Sequence, residues 1–482
     1  VTATPIGLVL LALCLRYAGN STRLVQLVLV AGVFEAAAAF ILGGFGLQPG
    51  LLPAAMLVAL VAGQYLMGWR SIAEGAVLHL MAPLLLMFAY AAVTAFLLPD
   101  TFAGRIIVWP QKFDGPAPEP VPLGPGQGNL NQVLYLTANV AVACAAALAL
   151  GRAGTAWRAL VRAYLLGGYL VVGIAAWELG KRTVGIPFPT EILQSNPGWV
   201  IVEQSLGALP RLQGPFSEPS SLGFYLVGVV FACAGLCLRG HAILRADILF
   251  VLAVVAVFLS TSTTGIAALV LGLPAMLAVA ALRGRGAQIG LLVRRLALPG
   301  VAFLLLATGL LVLRPELLGH IGDVVEATLG KAETSSFEER TAMNGAAWTA
   351  FLESGGLGIG WGSTRASSVL PGILAGSGLV GAVAVAWFAL RLIRAARFAR
   401  AHAPAGHAAC IALDAFAAAL AGQLLAAVLS APMITTPIFF VQIGIVAAAT
   451  IRLTIVAGAA RRAPVPHAPA PPRAAAPPLS AR

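Results

Sequence analysis

The stretch Arg211-Leu-Gln-Gly-Pro-Phe-Ser-Glu-Pro-Ser220 leads, through Ser221, into Leu222-Gly-Phe-Tyr-Leu-Val-Gly-Val-Val-Phe-Ala-Cys-Ala-Gly-Leu-Cys-Leu238. The second part carries no charge and is long enough as a helix to enter a bilayer. The first part is polar and turn-rich, with Gly214, Pro215 and Pro219 as breakers. It places a permanent cation, Arg211, and a carboxylate, Glu218, at the membrane surface. That pairing suits chemistry on an anionic substrate anchored in lipid.

The rest of the chain repeats the apolar pattern. Of its 482 residues, 59% are hydrophobic and only 10% charged, with a mean hydropathy of +0.92. A soluble protein of this length cannot hide so much apolar side chain. Runs of about 17–23 apolar residues bounded by arginines mark transmembrane helices. Full spans are expected at 24–42, 51–69, 76–98, 133–150, 160–179, 222–238, 247–260, 265–282, 296–313, 370–390, 408–429 and 438–457. A shorter run at 5–15 reads as a retained helix. The expected fold class is therefore all-α, a polytopic bundle of about 12–13 transmembrane helices over 1–460. A basic Pro/Ala-rich tail, 461–482, reads as disordered.

Basic residues set the orientation. Loops carrying Arg16, Arg23, Arg70, Arg152, Arg158, Arg162, Arg239, Arg245, Arg283, Arg285, Arg294, Arg295 and Arg391 to Arg400 contain only Glu74 and Asp247 as acids. They read as cytoplasmic, with the C-terminus on the same side, and as contacts for anionic phospholipids. The net charge of +12 follows from this sidedness and does not point to nucleic acid. The opposite, periplasmic loops include three long ones, 99–132, 180–221 and 314–369. The first is a Pro/Gly-rich strap, extended or flexible. The third is partly helical. Its segment 320–329 has the spacing of a short amphipathic surface helix. Ser335 with Glu338, or Ser336 with Glu339, forms a capping box for a second helix running to about Glu353. That helix puts Arg340 on one face with Asn344, Trp348 and Phe351. Gly355-Gly-Leu-Gly-Ile-Gly-Trp-Gly362 lacks the flanking strand and Lys-Ser/Thr of a nucleotide loop, and reads as a tight turn where backbones approach closely.

Cations on the acidic side need explaining: Lys181, Arg182, Arg211, Arg314, Arg340 and Arg365. Arginine matches phosphate oxygens with a bidentate fork and keeps its charge, so a cluster of them suits a lipid-linked diphosphate as it departs. Snorkelling at the interface is the plainer account, preferred for Arg314 and Lys181. Glu218 fits either a base for a sugar hydroxyl or a helix-start charge. Tyr225, one turn on, is a candidate sugar contact, as is the hydroxyl-rich turn Ser260-Thr-Ser-Thr-Thr264. His320 and Trp348 complete the candidate substrate-binding set. Glu35, His79 and Asp414 fall in apolar spans, where ionisable residues point to function; they are the basis of a rival reading as a transporter or flippase of lipid-linked sugars, which the concentration of polar residues in outward loops rather than at midplane argues against. The five cysteines lie in apolar runs and no metal set is expected from them, Cys233 and Cys237 lacking any joining His or acid.

These pieces resemble the bacterial O-antigen polymerase and ligase superfamily. The resemblance is carried by Arg211-x-x-Gly214-x-Phe-x-Glu218-Pro219, by Ser260-Thr-Ser-Thr-Thr-Gly265, and by Arg340 and Trp348 in a late outward loop. Gly358-x-Gly360, Arg365-Ala-Ser-Ser-Val-Leu and Gly378-Leu-Val-Gly381 follow. It covers roughly 200–385 in detail. It implies a membrane glycosyltransferase of the inner membrane whose donor is a glycan on undecaprenyl diphosphate, used at the periplasmic face without metal, nucleotide or other cofactor. It further implies Arg211, Arg340 and Arg365 on the diphosphate and Glu218 near the acceptor, with Glu218, Arg211 and Arg340 as the catalytic group. A flippase and a chain-length regulator would be natural partners. Ligases of that family carry a His-Asn-like pair soon after the last loop arginine. Ser367-Ser368 stands there instead, which favours a polymerase of O-antigen or exopolysaccharide repeat units over a ligase acting on a lipid or protein acceptor.

Overall fold

A computed structural model describes residues 1–111, 119–198, 205–206, 209–313, 335–404, 406–430 and 435–462. The chain is an all-α polytopic helical bundle. Its helices are α1 (Pro5–Arg16), α2 (Ser21–Ala31), α3 (Leu51–Leu66), α4 (Glu74–Thr101), α5 (Gln127–Leu150), α6 (Trp157–Val184), the single turn α7 (Thr190–Leu193), α8 (Pro219–Leu238), α9 (Ala246–Leu259), α10 (Thr263–Leu282), α11 (Gly286–Leu313), α12 (Ser335–Glu353), α13 (Val369–Ala401), α14 (Ala408–Ser430) and α15 (Pro437–Arg462). Among the described residues, nine helices are long and apolar enough to cross a membrane, and α1, α2, α3 and α9 are shorter apolar helices. This is a multi-pass membrane protein. Its sheet content is a few two- and three-residue strands, β1 (Thr2–Ala3), β2 (Phe40–Leu42), β3 (Phe45–Leu47), β4 (Ile107–Val108), β5 (Val121–Pro122), β6 (Ser205–Leu206) and β7 (Leu209–Pro210).

Helix α8, the apolar run that follows Arg211, is the axis of the bundle: 94% of its apolar window is buried. Glycines let its neighbours come close. A Cβ on Gly228 would sit 2.7 Å from the Tyr164 hydroxyl, and one on Gly235 would sit 3.0 Å from Ala418. Small residues serve this purpose generally in membranes, where van der Waals packing replaces the hydrophobic drive. The alanine run Ala145-Ala-Ala147 of α5 receives α15 in the same way, with Gly444 against Ala143 and Ala146. At the opposite extreme, α11 has only 6% of its window buried and is peripheral.

The expected span 24–42 is corrected. Helix α2 stops at Ala31, and residues 40–47 form the β2–β3 hairpin, Leu42 paired with Phe45. Gly43 and Gly44, both at positive φ (54° and 87°), make the two-residue turn. Gly-Gly between apolar triplets is a hairpin signal; averaging hydropathy over a long window erases it. β1 adds a third strand.

Helix α13 is interrupted at Gly378, whose φ of 60° and ψ of −165° belong to a region open essentially to glycine. The gap is filled by the glycine turn 355–362. Ile359 N–H donates to Ala375 C=O (2.7 Å) and Leu379 N–H to Gly356 C=O (2.8 Å). A Cβ on Gly378 would lie 2.2 Å from the Leu357 oxygen, and one on Gly358 would lie 2.6 Å from Gly378 N. The turn is thus where two backbones meet, as its composition predicts. Gly378→Ala is expected to cost roughly 2 kcal/mol or more through forbidden backbone and direct clash, seen as a lowered thermal midpoint. Gly290→Ala on α11, where a Cβ meets nothing, is the control. Equal midpoints for the two variants would contradict this packing.

Candidate functional site

The loop before α8 is shaped by one carboxylate. Glu178, on the last turns of α6 and 3% exposed, accepts from the amides of Gln213 (3.1 Å) and Gly214 (2.7 Å) through Oε2. Its Oε1 meets Arg182 Nη2 at 2.5 Å. Gly214 takes a positive φ of 58° to present its amide inward. Pro215 C=O accepts from Ala36 N–H, tying this loop to the turn after α2. Glu218 then caps α8 with its backbone. Ser221 and Leu222 donate to its carbonyl, while its carboxylate accepts from the Ser220 hydroxyl.

Held this way, Arg211 reaches the turn between α9 and α10. Its Nε donates to Thr261 Oγ1 at 2.8 Å and Nη2 to Thr261 C=O at 3.4 Å. Thr261 has a φ of 51°, a strained value for a β-branched residue. The Ser262 hydroxyl caps α10 by accepting from Gly265 N–H. A Cβ on Gly223 would meet the Ser262 hydroxyl at 2.7 Å, so glycine lets α8 press against this turn.

Arg340 comes to the same place from α12. Its Nη1 is 3.5 Å from the Ser430 hydroxyl at the end of α14, and that hydroxyl is 2.7 Å from the Ser367 hydroxyl. Asn344, one turn along, accepts from Ser367 N–H and Ser368 N–H at 2.9 and 3.0 Å. Burial holds the Arg211 guanidinium below the ordinary arginine range; the Arg340 charge lowers it further and the Glu218 charge opposes the shift. Arg211, Arg340 and Glu218 are therefore electrostatic neighbours. Two guanidiniums, one carboxylate and a fringe of hydroxyls form a half-buried site suited to an oxyanion.

Arg365 enters through its backbone, donating to Trp109 C=O at 2.8 Å. Gln111 and Asn129, from the two described parts of the segment 99–132, also hold its loop. Gln111 Nε2 donates to Thr364 C=O, and Asn129 Nδ2 donates to Trp361 C=O and the Ser363 hydroxyl. Arg365 is half-buried, two residues before Ser367. Trp348 is 40% exposed on α12 and stacks edgewise on Phe351.

Other candidates are placed differently. Arg182 is committed to Glu178, and Lys181 lies over the Phe188 ring at 6.0 Å. Tyr225 is 2% exposed, enclosed by Phe216 and Tyr164, which removes it from any open surface for sugar. Arg314 and His320, with the segment 320–329, lie outside the described residues. The three ionisable residues of a transport path do not meet. Asp414 pairs with Arg400, Arg239 and His241 at the C-terminal end of α8, about 30 Å along that helix from Glu218. His79 faces outward on α4. Glu35 lies past the end of α2 and, through Ser217, belongs to the Arg211 end.

Sequence reasoning missed Glu178 and Ser430, and named Asn344 only as a neighbour of Arg340 on its helix face. Glu178 had a readable sign, Arg182 one helical turn later. Ser430 had none beyond polarity, and the part Asn344 plays was hidden because its partners Ser367 and Ser368 are distant in sequence.

Compared with known proteins, the chain matches no family model and no curated protein.

Glu178→Ala is expected to cost about 3 kcal/mol, since it strands Arg182 and two buried amides. The measurement is thermal unfolding, with protease cleavage near Gln213 as the local readout. Unchanged stability and unchanged cleavage would refute the anchoring role.

Proposed function

We propose that this protein is a membrane glycosyltransferase that joins oligosaccharide repeat units carried on undecaprenyl diphosphate, an O-antigen or exopolysaccharide polymerase of the bacterial inner membrane. The site faces the periplasm and the C-terminus the cytoplasm. The observation that carries this reading is the convergence of Arg211, Arg340 and Glu218 at one end of the bundle, opposite the arginine-rich end.

In the reaction, an acceptor hydroxyl oxygen forms a bond to the anomeric carbon of the donor's first sugar. The bond from that carbon to the diphosphate oxygen breaks, and its electron pair leaves with the polyprenyl diphosphate. The hydroxyl proton passes to Glu218. The growing negative charge on the diphosphate is met by Arg211 and Arg340, with Arg365 from the adjoining loop. A diphosphate is already a good leaving group, so positioning and electrostatics carry most of the catalysis. Ser367 and Ser368 stand where a ligase of the resembled family has its His-Asn-like pair, and both donate their amides to Asn344. They act as structural links to α12, consistent with polymerisation over ligation.

The test is polymer length in cells carrying Arg211→Ala, Arg340→Ala or Arg365→Ala, with protein abundance in the membrane checked alongside. Loss of a charge-stabilising group from such a site lowers turnover roughly 100-fold, so long polymer is expected to disappear in the first two. Normal chain length in all three overturns the assignment. Polymer that is made but left unattached in a deletion strain indicates a ligase.

A further inference from the structure

Beside the arginine cluster lies a carboxyl that the proposed reaction does not use. Glu35 is 4% exposed, in the turn between α2 and the β2–β3 hairpin. Backbone bonds on both sides fix it: Ala36 N–H donates to Pro215 C=O at 3.0 Å, and Ala36 C=O accepts from Asn196 N–H at 3.1 Å. One carboxyl oxygen accepts from the Ser217 hydroxyl at 3.0 Å. Among the described residues no cation forms an ion pair with it.

Among the described residues, few charged groups lie on the elements around Glu35. The loop that ends at the cap of α8 carries Arg211 at its start and Glu218, which acts on Glu35, at its end. From α6 come Glu178 and Arg182, already joined to each other and to the Gln213 and Gly214 amides. The hairpin, α3 and the first turns of α15 carry no charged side chain, and the only charge on α2, Arg23, is near its far end. Burial without a paired cation favours the neutral form of a carboxyl, and a second carboxylate nearby favours it further.

We propose that Glu35 is a positioning residue for the Arg211–Arg340 site: as a neutral carboxylic acid it fixes Ser217 and adds no second negative charge beside Glu218. This deepens the reading of that site as a diphosphate cradle and rests on it. Burial raises the Glu35 carboxyl to about 8; the Ser217 hydrogen bond opposes the rise and the Glu218 charge adds to it. An acid raised in this way is neutral below that pH and anionic above it. Ionisation places a second negative charge beside Glu218, in the loop that begins with Arg211, so the hold on an anion is complete at neutral pH and weakens as pH rises through about 8.

The experiment uses the full chain in lipid nanodiscs with inorganic diphosphate as probe, titrated between about pH 6.5 and 9.5. Glu35→Gln preserves shape and neutrality, so it is expected to fold and to bind as the wild type does at neutral pH. Over the upper half of the range the wild type is expected to lose about tenfold more affinity than the variant, one such factor corresponding to one pKa unit of interaction. The probe's own titration cancels in the comparison. Equal pH slopes overturn the proposal. Infrared spectra give a second arm: a protonated-carboxyl band that titrates near 8 and vanishes in Glu35→Gln supports it, and the absence of such a band overturns it. If the wild type binds no diphosphate at any pH, the diphosphate reading fails, and the infrared arm alone decides the protonation of Glu35.

Discussion

The carboxylate of Glu178 accepting the amides of Gln213 and Gly214 is the constraint on which the functional end of this protein depends. The loop 211–218 has no secondary structure of its own, and buried amides outside helices and sheets need partners. Glu178 supplies them from a helix that is itself packed in the bundle. With that segment fixed, Arg211 and Glu218 project from its two ends. Arg211 meets the Thr261 turn, and Glu218 starts the most buried of the nine membrane-length helices among the described residues. Arg182 neutralises the anchor, so its charge is spent on holding the loop and does not reach a ligand.

A second, independent clamp brings in the other half of the site. The break in α13 at Gly378 frees backbone groups inside the protein, and the glycine turn 355–362 answers them. Gly355, Gly356, Gly358, Gly360 and Gly362 all take positive φ, and a Cβ on Gly358 or Gly360 would run into neighbouring backbone, which explains why the turn consists so largely of glycine. Its exit carries Arg365 and the serines 367 and 368 to Asn344 and Ser430, next to Arg340. Two like charges, Arg211 and Arg340, are thus held close by clamps that act on separate parts of the chain. Such repulsion is costly in the empty protein and is relieved by a bound anion, which is how a preorganised site stores binding energy.

Much of the fold was legible in the sequence. Hydropathy gave most of the helices, and the paired Ser335/Ser336 and Glu338/Glu339 put the start of α12 close to Ser335, where it begins, since each depends on residues near one another in the chain. The loop motifs also marked Arg211, Glu218, the Ser260–Thr264 turn and Arg340, which the structure brings to one region. What could not be read depends on distant pairing. The end of α2 at Ala31 was hidden because hairpin residues are as apolar as helix residues. Tyr225 has the right spacing for the site, yet α8 is buried on every face and encloses it in the core. Glu35 looked like an intramembrane charge until the contact with Ser217, 182 residues away, placed it at the Arg211 end.

The central claim is that Arg211 and Arg340 jointly cradle one anion. The most direct measurement is a cryo-electron microscopy map of the protein in lipid nanodiscs with inorganic diphosphate added. The account requires density for one diphosphate within hydrogen-bonding reach of both guanidiniums, between the Thr261 turn and the end of α14. A map in which the two arginines face separate surfaces, or in which the diphosphate sits elsewhere, would contradict it.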